Sequence, residues 1–323
     1  MAKFAYVFPG QGSQQVGMGR DLYENFSSAR AVFDQADSIL GFPISTLCFE
    51  GPEPELTCTV NAQPAVVAVS FACLEAFREV APAALSAASF VAGHSVGEYT
   101  ALVASGVVDF AAALELARRR GQLMYEAGLA KPGDMAAIIG MDQAQVAAVC
   151  EETGVWIANV NGPGQVVISG EVDHVKNAAQ LAKSRGAKLV IPLAVSGAFH
   201  SPLMQQAVDG MSKALSGQRM QVPQIPIVGN VDAHLLDSAE SVKAELLGQL
   251  CSGVQWLRSV EFLIDQGVST FVEIGPGDVL SGLIENISPA VTTMNIGDAE
   301  AVQRLATRAR ESGLRAPAGV KVI

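Results

Sequence analysis

The sequence predicts an α/β protein in which a small ferredoxin-like unit is inserted into a larger domain built on a parallel sheet. Short apolar runs that end in glycine-rich loops alternate with long helical patterns, which is typical of a parallel sheet covered by helices. In the middle of the chain the predicted elements follow the order β-α-β-β-α-β, which is that of the ferredoxin-like unit. The 323 residues are enough for about two such domains.

The first part of the chain holds two buried strands, each followed by a glycine-containing loop. The strands are predicted over residues 4–8 and 89–93. Apolar positions at helical spacing predict a helix over residues 61–80 and another that ends at Ala104, and Asp109 is expected to cap a helix that runs to about residue 126. Because parallel strands end at the same edge of a sheet, we expect the two loops to lie side by side.

The inserted unit is predicted between residues 134 and 193. Its strands are expected over residues 134–140, 155–160, 165–169 and 188–193, and its helices over residues 142–153 and 172–185. A unit of roughly 60–65 residues can form a small core of its own.

The last part of the chain returns to the large domain. Helices are predicted from residue 202 to about 215, over 238–250 and 254–265, from 278, and over 299–311, with strands over 225–229 and 270–274. We therefore expect a discontinuous large domain (residues 1–130 and 197–298), a small domain (residues 131–196), and a C-terminal helix and tail (residues 299–323) whose role the sequence does not assign.

The composition excludes several classes of protein. Half of the residues are hydrophobic and 16% are charged, against about 25% in a typical domain, which argues for a large core and against disorder. Lys and Arg total 21 and Asp and Glu total 32, so the formal charge is −11. That charge argues against nucleic-acid binding, which needs a basic surface.

Cysteine usage and hydropathy indicate the compartment. The five cysteines are odd in number and form no Cys-x-x-Cys pair, so reduced thiols in a cytoplasmic protein are expected. The apolar run at the N-terminus is too short for a signal peptide, and prolines interrupt the longest uncharged stretches, so we expect no membrane span. We also expect no metal site.

The segment Gly93-His94-Ser95-Val96-Gly97 matches the Gly-x-Ser-x-Gly nucleophile elbow. Glycines relieve the crowding of a sharp turn between a strand and a helix, and the turn exposes the serine beside the helix N-terminus. The motif is common by chance, but here it lies between a predicted strand and a predicted helix. We favour a nucleophile at Ser95 over an ordinary loop serine.

A serine nucleophile needs a base, and the chain has four histidines, His94, His174, His200 and His234. Consecutive side chains diverge in an elbow, so His94 is expected to point away from Ser95. His174 and His234 lie in polar surroundings. His200 lies where the inserted unit rejoins the large domain, and clefts form at such junctions, so it is the preferred base. Its orienting partner remains open between an acidic side chain and a backbone carbonyl.

The loop Gly10-Gln11-Gly12-Ser13-Gln14 follows the first strand. Its backbone N–H groups are candidates for the second half of an oxyanion hole, and the alternative is a plain glycine-rich turn. It is not a phosphate-binding loop, because no Gly-Lys-Ser/Thr follows.

Three consecutive arginines, Arg118, Arg119 and Arg120, lie in the long helix that follows the elbow. Consecutive helical residues differ by about 100°, so at most one or two of them share a face. The set is either a solvated basic patch or includes one arginine that turns inward and binds a carboxylate through two hydrogen bonds.

These residues together resemble those of the bacterial malonyl-CoA:acyl-carrier-protein transacylases, over about residues 4–290. The resemblance rests on a series of motifs in order: Phe8-Pro9-Gly10-Gln11-Gly12-Ser13-Gln14, Gly93-His94-Ser95-Val96-Gly97-Glu98-Tyr99, Arg120-Gly121-Gln122-Leu123-Met124, Asn161-Gly162-Pro163-Gly164-Gln165, Ser196-Gly197-Ala198-Phe199-His200-Ser201-Pro202, Val254-Gln255-Trp256 and Glu273-Ile274-Gly275-Pro276-Gly277.

The resemblance implies an α/β-hydrolase-like large domain with an inserted ferredoxin-like domain, and it implies a role for each site residue. The implied roles are Ser95 as nucleophile, His200 as base, Arg120 as receptor of the substrate carboxylate, Gln11 and Val96 as backbone donors of the oxyanion hole, and Gln255 as the residue whose carbonyl orients His200.

The activity implied by the resemblance is transfer of the malonyl group from malonyl-CoA to acyl carrier protein through a malonyl-serine, without a cofactor. We expect the enzyme to be a monomer. Two related activities fit the same residues, those of a free-standing acyltransferase of a polyketide synthase and of a malonyl transferase that loads a decarboxylase carrier protein. From a different class, the elbow alone also fits a serine esterase or thioesterase.

Overall fold

The computed structural model describes residues 3–82, 88–195 and 197–311. Ten strands form two sheets within these residues: β1 (Lys3–Phe8), β2 (Ala88–Gly93), β3 (Gly133–Ile139), β4 (Trp156–Gly162), β5 (Gln165–Glu171), β6 (Leu189–Pro192), β7 (Ile227–Val228), β8 (Leu235–Leu236), β9 (Val268–Ile274) and β10 (Thr292–Ile296).

The helices in the described residues surround these sheets. They are α1 (Arg20–Asn25), α2 (Ser27–Leu40), α3 (Ile44–Glu50), α4 (Glu53–Thr57), α5 (Thr59–Val80), α6 (Gly97–Ala104), α7 (Phe110–Ala130), α8 (Gln143–Thr153), α9 (Val172–Ser184), α10 (Gln205–Ser216), α11 (Ala239–Cys251), α12 (Trp256–Asp265), α13 (Val279–Ile287) and α14 (Ala299–Glu311), with a short 3₁₀ turn at Pro202–Met204.

The large sheet has six strands in the order β10-β9-β1-β2-β7-β8. All neighbouring pairs are parallel except β7 with β8. Phe8 at the end of β1 lies opposite Gly93 at the end of β2. The glycine-rich loop after β1 and the elbow after β2 therefore lie side by side, as the sequence predicts.

The small sheet has the order β4-β5-β3-β6, and every neighbouring pair is antiparallel. With α8 and α9 on it, this is the predicted β-α-β-β-α-β unit, and it has its own buried cluster of side chains. Its edge strand β4 contacts the large domain through Val254, whose N–H donates to the Ala158 carbonyl at 2.9 Å and whose carbonyl accepts from Val160 at 2.8 Å.

Helix α5 is the central helix of the large core. Among the described residues it alone is long and apolar enough to cross a membrane, and 78% of its most apolar window is buried inside the protein. It packs along α2 and α7, and this burial makes it a core helix. Gln63 is a buried polar side chain within its apolar sequence.

Several elements are absent from the sequence-based prediction. They are helices α1 to α4 and strands β8 and β10. The predicted strand over residues 225–229 is only two residues long, because β7 pairs with β2 at two positions. Helices α1, α3 and α4 and the two-residue strands β7 and β8 are too short to carry a periodicity of their own and are held by tertiary contacts. Helix α2, with 14 residues, and strand β10, with five, are long enough to carry a pattern, and both were overlooked. Ser196 and the tail beyond residue 311 lie outside the described residues.

Candidate active site

The turn between β2 and α6 places Ser95 at the carboxyl edge of the large sheet. Ser95 has a φ of 51°, a strained value for a residue with a side chain. A Cβ on Gly93 would overlap the backbone of Gly97 and Glu98, and a Cβ on Gly97 would overlap the carbonyl of Phe8. The two glycines are therefore required for the elbow to pack against its neighbours, as the sequence predicts.

His200 lies against the elbow and is 5% exposed. Its Nε2 is 2.8 Å from Ser95 Oγ, and its Nδ1 is 2.8 Å from the Gln249 carbonyl oxygen. A carbonyl only accepts hydrogen bonds, so the proton of the neutral ring is on Nδ1. Nε2 is then the acceptor that faces the serine hydroxyl, which is the arrangement of a base and its nucleophile.

The carbonyl that orients His200 belongs to Gln249, and the assignment of this role to Gln255 was wrong. The Gln255 carbonyl accepts from the N–H of Ser259 at 2.9 Å and from its hydroxyl at 3.1 Å. It is therefore occupied by the first turn of α12. Gln249 lies in the last turns of α11, where carbonyls are left without an intrahelical donor, and one of them serves the histidine instead.

Burial, followed by the positive charge of Arg120, lowers the pKa of His200 from 6.5 to about 3. The hydrogen bond to the Gln249 carbonyl opposes this shift. At neutral pH the ring is therefore unprotonated and available to accept a proton.

Arg120 is 1% exposed and lies beside Ser95. Its Nη2 donates to Ser95 Oγ at 3.1 Å and to Gln249 Oε1 at 2.7 Å, and its Nη1 donates to Gln63 Oε1 at 2.8 Å. Its Nε–H has no acceptor among the described residues.

None of the groups that hold Arg120 is a carboxylate. No acidic side chain in the described part of the chain forms an ion pair with Arg120. Burial lowers the pKa of this guanidinium, yet an arginine remains charged in proteins. Among the described residues, the site thus contains a buried cation whose Nε–H is free and which has no anionic partner. The carboxylate of an entering substrate would supply that anion.

The other two arginines of the run point elsewhere. Arg118 donates to the Val60 carbonyl at 2.8 Å and to Asn61 Oδ1 at 2.7 Å. Arg119 is exposed and lies 3.8 Å from Glu126. Of the two interpretations of the run, the structure supports the one in which a single arginine turns inward.

Two backbone N–H groups near Ser95 have no acceptor within the described residues, those of Gln11 and Val96. The N–H of Ser95 itself is occupied, because it donates to Asn230 Oδ1 at 2.7 Å. The Gln11 side chain is anchored by the Thr59 hydroxyl at 2.7 Å. The two free N–H groups lie on the two adjacent loops, where an oxyanion hole requires donors.

The remaining histidines are not at the nucleophile. His94 Nε2 lies 2.9 Å from Asn161 Oδ1, and its ring contacts that of Trp256 edge-on. Burial lowers the pKa of His94, so it is a neutral residue that ties the elbow to the small domain. His174 and His234 are exposed.

Sequence reasoning missed the polar side chains that hold this site. They are Gln63, Glu98, Asn230, Glu245 and Gln249, all of which are 6% exposed or less. Gln63 could have been found, because it interrupts the apolar face of the predicted helix over residues 61–80. Glu98 lies in a quoted motif but was given no role, and the local sequence around Asn230, Glu245 and Gln249 does not set these residues apart.

A small cavity of about 90 Å³ opens on Ser95. It is lined by Ser95, His200, Arg120 and Gln63 on the large-domain side and by Met135 and Asn159 of the small domain, among others. Its size suits a short acyl group. No cluster of three metal-binding side chains occurs in the described ranges.

A cleft of about 250 Å³ lies beside this cavity, between the loop after β1 and the small sheet. The two spaces share Gln11, His94, Asn159 and Leu193. An extended substrate in this cleft would therefore reach the serine from the junction of the two domains.

The chain belongs to the acyl transferase domain family, which it matches over residues 5–305. An elbow serine, a histidine within hydrogen-bond distance of its hydroxyl and two free backbone N–H groups are the parts that acyl transfer requires. The protein is thus an acyltransferase.

Within that class the chain belongs to the malonyl CoA-acyl carrier protein transacylases. It is 44% identical over 310 residues to the malonyl CoA-acyl carrier protein transacylase of Bacillus subtilis, covering 94% of this chain and 96% of that protein. The crystal structure of an acyl-carrier-protein S-malonyltransferase from Bartonella henselae superposes with a TM-score of 0.91 at 39% identity, covering 96% and 99% of the two chains.

A second similar structure is that of a malonyl-transacylase in complex with its type II polyketide synthase acyl-carrier protein. It has a TM-score of 0.90 and 40% identity, and the match covers 95% of this chain and all of that one. These comparisons confirm the family and the fold class predicted from the sequence.

Proposed function

We propose that this enzyme moves the malonyl group from malonyl-CoA to the phosphopantetheine thiol of the acyl carrier protein of fatty-acid synthesis, through a malonyl ester on Ser95. The observation that carries the proposal is Arg120, a buried cation without an anionic partner, 3.1 Å from the nucleophilic oxygen. The free carboxylate distinguishes a malonyl from an acetyl group, and Arg120 is the group that would recognise it.

In the acylation step, His200 Nε2 accepts the proton of the Ser95 hydroxyl while Oγ attacks the thioester carbonyl. The Gln249 carbonyl holds the Nδ1 proton at 2.8 Å and stabilises the imidazolium that forms. The tetrahedral intermediate collapses with loss of the coenzyme A thiolate, which takes the proton back from His200. The products are malonyl-Ser95 and free coenzyme A.

The negative charge on the tetrahedral oxygen is held by the backbone N–H groups of Gln11 and Val96. Both belong to loops fixed by the parallel pairing of β1 with β2. Preorganised donors of this kind each contribute about 10²–10³ in rate. The positive end of the α6 helix dipole points toward the same position.

In the second half-reaction the carrier thiol attacks malonyl-Ser95, and His200 accepts the thiol proton and then returns a proton to Ser95 Oγ. The thioester forms on the carrier and the serine ester breaks, so the enzyme is restored without a cofactor. Coenzyme A leaves the site before the acyl carrier protein reacts there, which is a ping-pong mechanism.

Arg120 also determines which acyl groups are transferred. An acetyl group would leave the buried guanidinium with only its neutral partners, Gln63, Gln249 and Ser95. Sites built to pair a buried polar group discriminate strongly against ligands that lack the partner.

We further propose that the protein acts as a cytoplasmic monomer with the domain boundaries predicted above.

Both the acyl donor and the carrier protein are anionic, while the chain has a formal charge of −11. Long-range attraction therefore contributes little to their binding, and local groups such as Arg120 must supply it.

The test is to incubate the purified protein with malonyl-CoA and the acyl carrier protein carrying its phosphopantetheine arm. The proposal predicts malonyl-carrier and free coenzyme A in equal amounts, and no product with the carrier that lacks the arm. Release of free malonate at the same rate with and without the carrier would contradict it and identify a thioesterase. Faster malonyl transfer to the acyl carrier protein of a polyketide synthase than to that of fatty-acid synthesis would contradict the assigned pathway.

A further inference from the structure

The nucleophile elbow lies on a group of buried polar side chains, which we call the polar platform: Glu98, Asn230, Glu245 and Gln249. Asn230 Oδ1 accepts from the N–H of Ser95, and its Nδ2 donates to the Gly93 carbonyl at 2.7 Å. All four side chains are 6% exposed or less. The platform therefore holds the backbone on both sides of the elbow away from water.

Gln249 connects this platform to both His200 and Arg120. Its main-chain carbonyl accepts from His200 Nδ1, and its side-chain Oε1 accepts from Arg120 Nη2 at 2.7 Å. Its Nε2 donates to Glu98 Oε2 and to the Ser95 carbonyl at 3.2 Å. Since the amide oxygen must face Arg120, Nε2 must have an acceptor on its other side, and Glu98 provides it.

Glu98 and Glu245 lie together in the platform. Both accept from the N–H of Asn230, at 2.9 and 2.7 Å, so an oxygen of each carboxyl group lies at the same donor and the two groups are close together. Two buried carboxylates in contact cannot both be ionised, so one of the pair holds a proton that it can donate to the other.

The surroundings favour Glu98 as the holder of that proton. Glu245 accepts a second backbone N–H, from Val231 at 2.9 Å, and backbone donors stabilise a charged carboxylate. Glu98 has the amide of Gln249 as its other partner and is 1% exposed. Burial, followed by the charge of Glu245, raises the pKa of Glu98 well above its ordinary value.

A neutral Glu98 has a direct consequence for Arg120. An ionised Glu98 would be a resident anion one amide away from the guanidinium, and it would compete with an entering carboxylate. A protonated Glu98 still accepts from Gln249 and donates to Glu245, but adds no charge. The substrate carboxylate then meets an Arg120 whose charge is not compensated through Gln249.

We propose that Glu98 is a positioning residue, a buried carboxylic acid that shares its proton with Glu245, fixes the Gln249 amide, and keeps Arg120 available for the substrate carboxylate. The proposal deepens the proposed function, because its kinetic consequence is selectivity for malonyl over acetyl groups.

The kinetic test compares Glu98→Met with Glu98→Gln, using kcat/KM for malonyl-CoA and for acetyl-CoA. Methionine removes the Glu98 acceptor and leaves Gln249 Nε2 with the longer contact to the Ser95 carbonyl. We expect the malonyl-to-acetyl ratio to fall about five- to a hundredfold, the range for one buried N–H left unsatisfied. Glutamine supplies one acceptor and one donor without charge, and should recover most of that loss. Glu240→Met, exposed on the same helix as Glu245, is the matched control and should leave the ratio unchanged.

A structural role alone would lower the fraction of active enzyme and reduce kcat/KM for both substrates equally. An unchanged malonyl-to-acetyl ratio in Glu98→Met therefore overturns the proposal. Equal damage in Glu98→Gln and Glu98→Met also overturns it, because an ionised carboxylate would then be the required form.

An infrared difference spectrum locates the proton without any substrate. The proposal predicts that wild-type protein at neutral pH shows the carbonyl stretch of a buried carboxylic acid, and that this band is lost in Glu98→Gln. A spectrum without that difference overturns the proposal. A wild-type enzyme that transfers no malonyl would refute the proposed function instead, while the infrared band would still decide the state of Glu98.

Discussion

Truncation of Arg120 to alanine gives the sharpest prediction about selectivity. Arg120 is 1% exposed and is held only by neutral oxygens, so a bound malonyl carboxylate is its single anionic partner and water screens the pair little. Truncating one member of a buried charged pair costs about 2–5 kcal/mol. At about 1.4 kcal/mol per tenfold, kcat/KM for malonyl-CoA should fall about 30- to 5,000-fold.

The acetyl group has no carboxylate, so Arg120→Ala should retain or increase the rate with acetyl-CoA. The assay measures transfer of each labelled acyl group to the carrier protein under the same conditions. Arg119→Ala is the matched control, because Arg119 is the exposed neighbour on the same helix, and it should behave as wild type. Equal losses with both thioesters, or unchanged malonyl kinetics, would refute the role of Arg120 as carboxylate receptor.

The remaining predictions concern the base and the elbow. Because the pKa of His200 is lowered to about 3, the base stays neutral as the pH falls, so the acylation rate should stay flat from neutral pH to about pH 5. A decline centred near the ordinary histidine value of about 6.5 would contradict this. His200→Ala should slow acylation at least about 100-fold in a rapid-mixing experiment, and a near-wild-type rate would identify another base. Gly97→Ala should lower the free energy of unfolding by about 1–3 kcal/mol or more in urea, because its Cβ meets the Phe8 carbonyl. Gly282→Ala lies in helix α13, where the added carbon would meet no described atom within 4 Å apart from its chain neighbours and its own helix backbone. It should be neutral or stabilising, and equal destabilisation of both variants would refute the packing argument.

The elements that have long apolar patterns or characteristic turn residues could be predicted from the sequence alone. The buried strands β1 and β2, helices α5 and α7 and the β-α-β-β-α-β unit all have continuous apolar periodicity or turn residues at fixed positions, and they occur within a few residues of the predicted bounds. The parallel pairing of β1 with β2 then followed from general rules of α/β sheets.

The site was predictable to the extent that its residues lie in local motifs. The glycines around Ser95 are required by the backbone of the turn, so the elbow can be recognised without a structure. His200 was preferred from its place at the domain junction. The choice of Arg120 over Arg118 came from family resemblance, because helical spacing alone leaves the inward face undetermined.

The orienting carbonyl could not be found from sequence, because any residue supplies a carbonyl. What selects Gln249 is its position in the last turns of α11, beside His200. Gln255 lies near in sequence to this segment, but the first turn of α12 uses its carbonyl. Such a role depends on where a helix ends relative to a distant loop, which is a property of tertiary packing.

The polar platform was missed for a similar reason. Glu98 belongs to α6 and Glu245 to α11, 147 residues apart in sequence, and only the fold brings the two carboxyl groups together. The same holds for the contact of Gln63 with Arg120 across α5 and α7.

The covalent intermediate provides the most direct test of the central claim. Wild-type protein mixed with malonyl-CoA in the absence of carrier should gain the mass of one malonyl group, and peptide mapping should locate it on Ser95. Ser95→Ala should gain none, and added carrier should discharge the wild-type adduct. A malonyl adduct of undiminished yield on Ser95→Ala, or a wild-type adduct on another residue, would contradict the account.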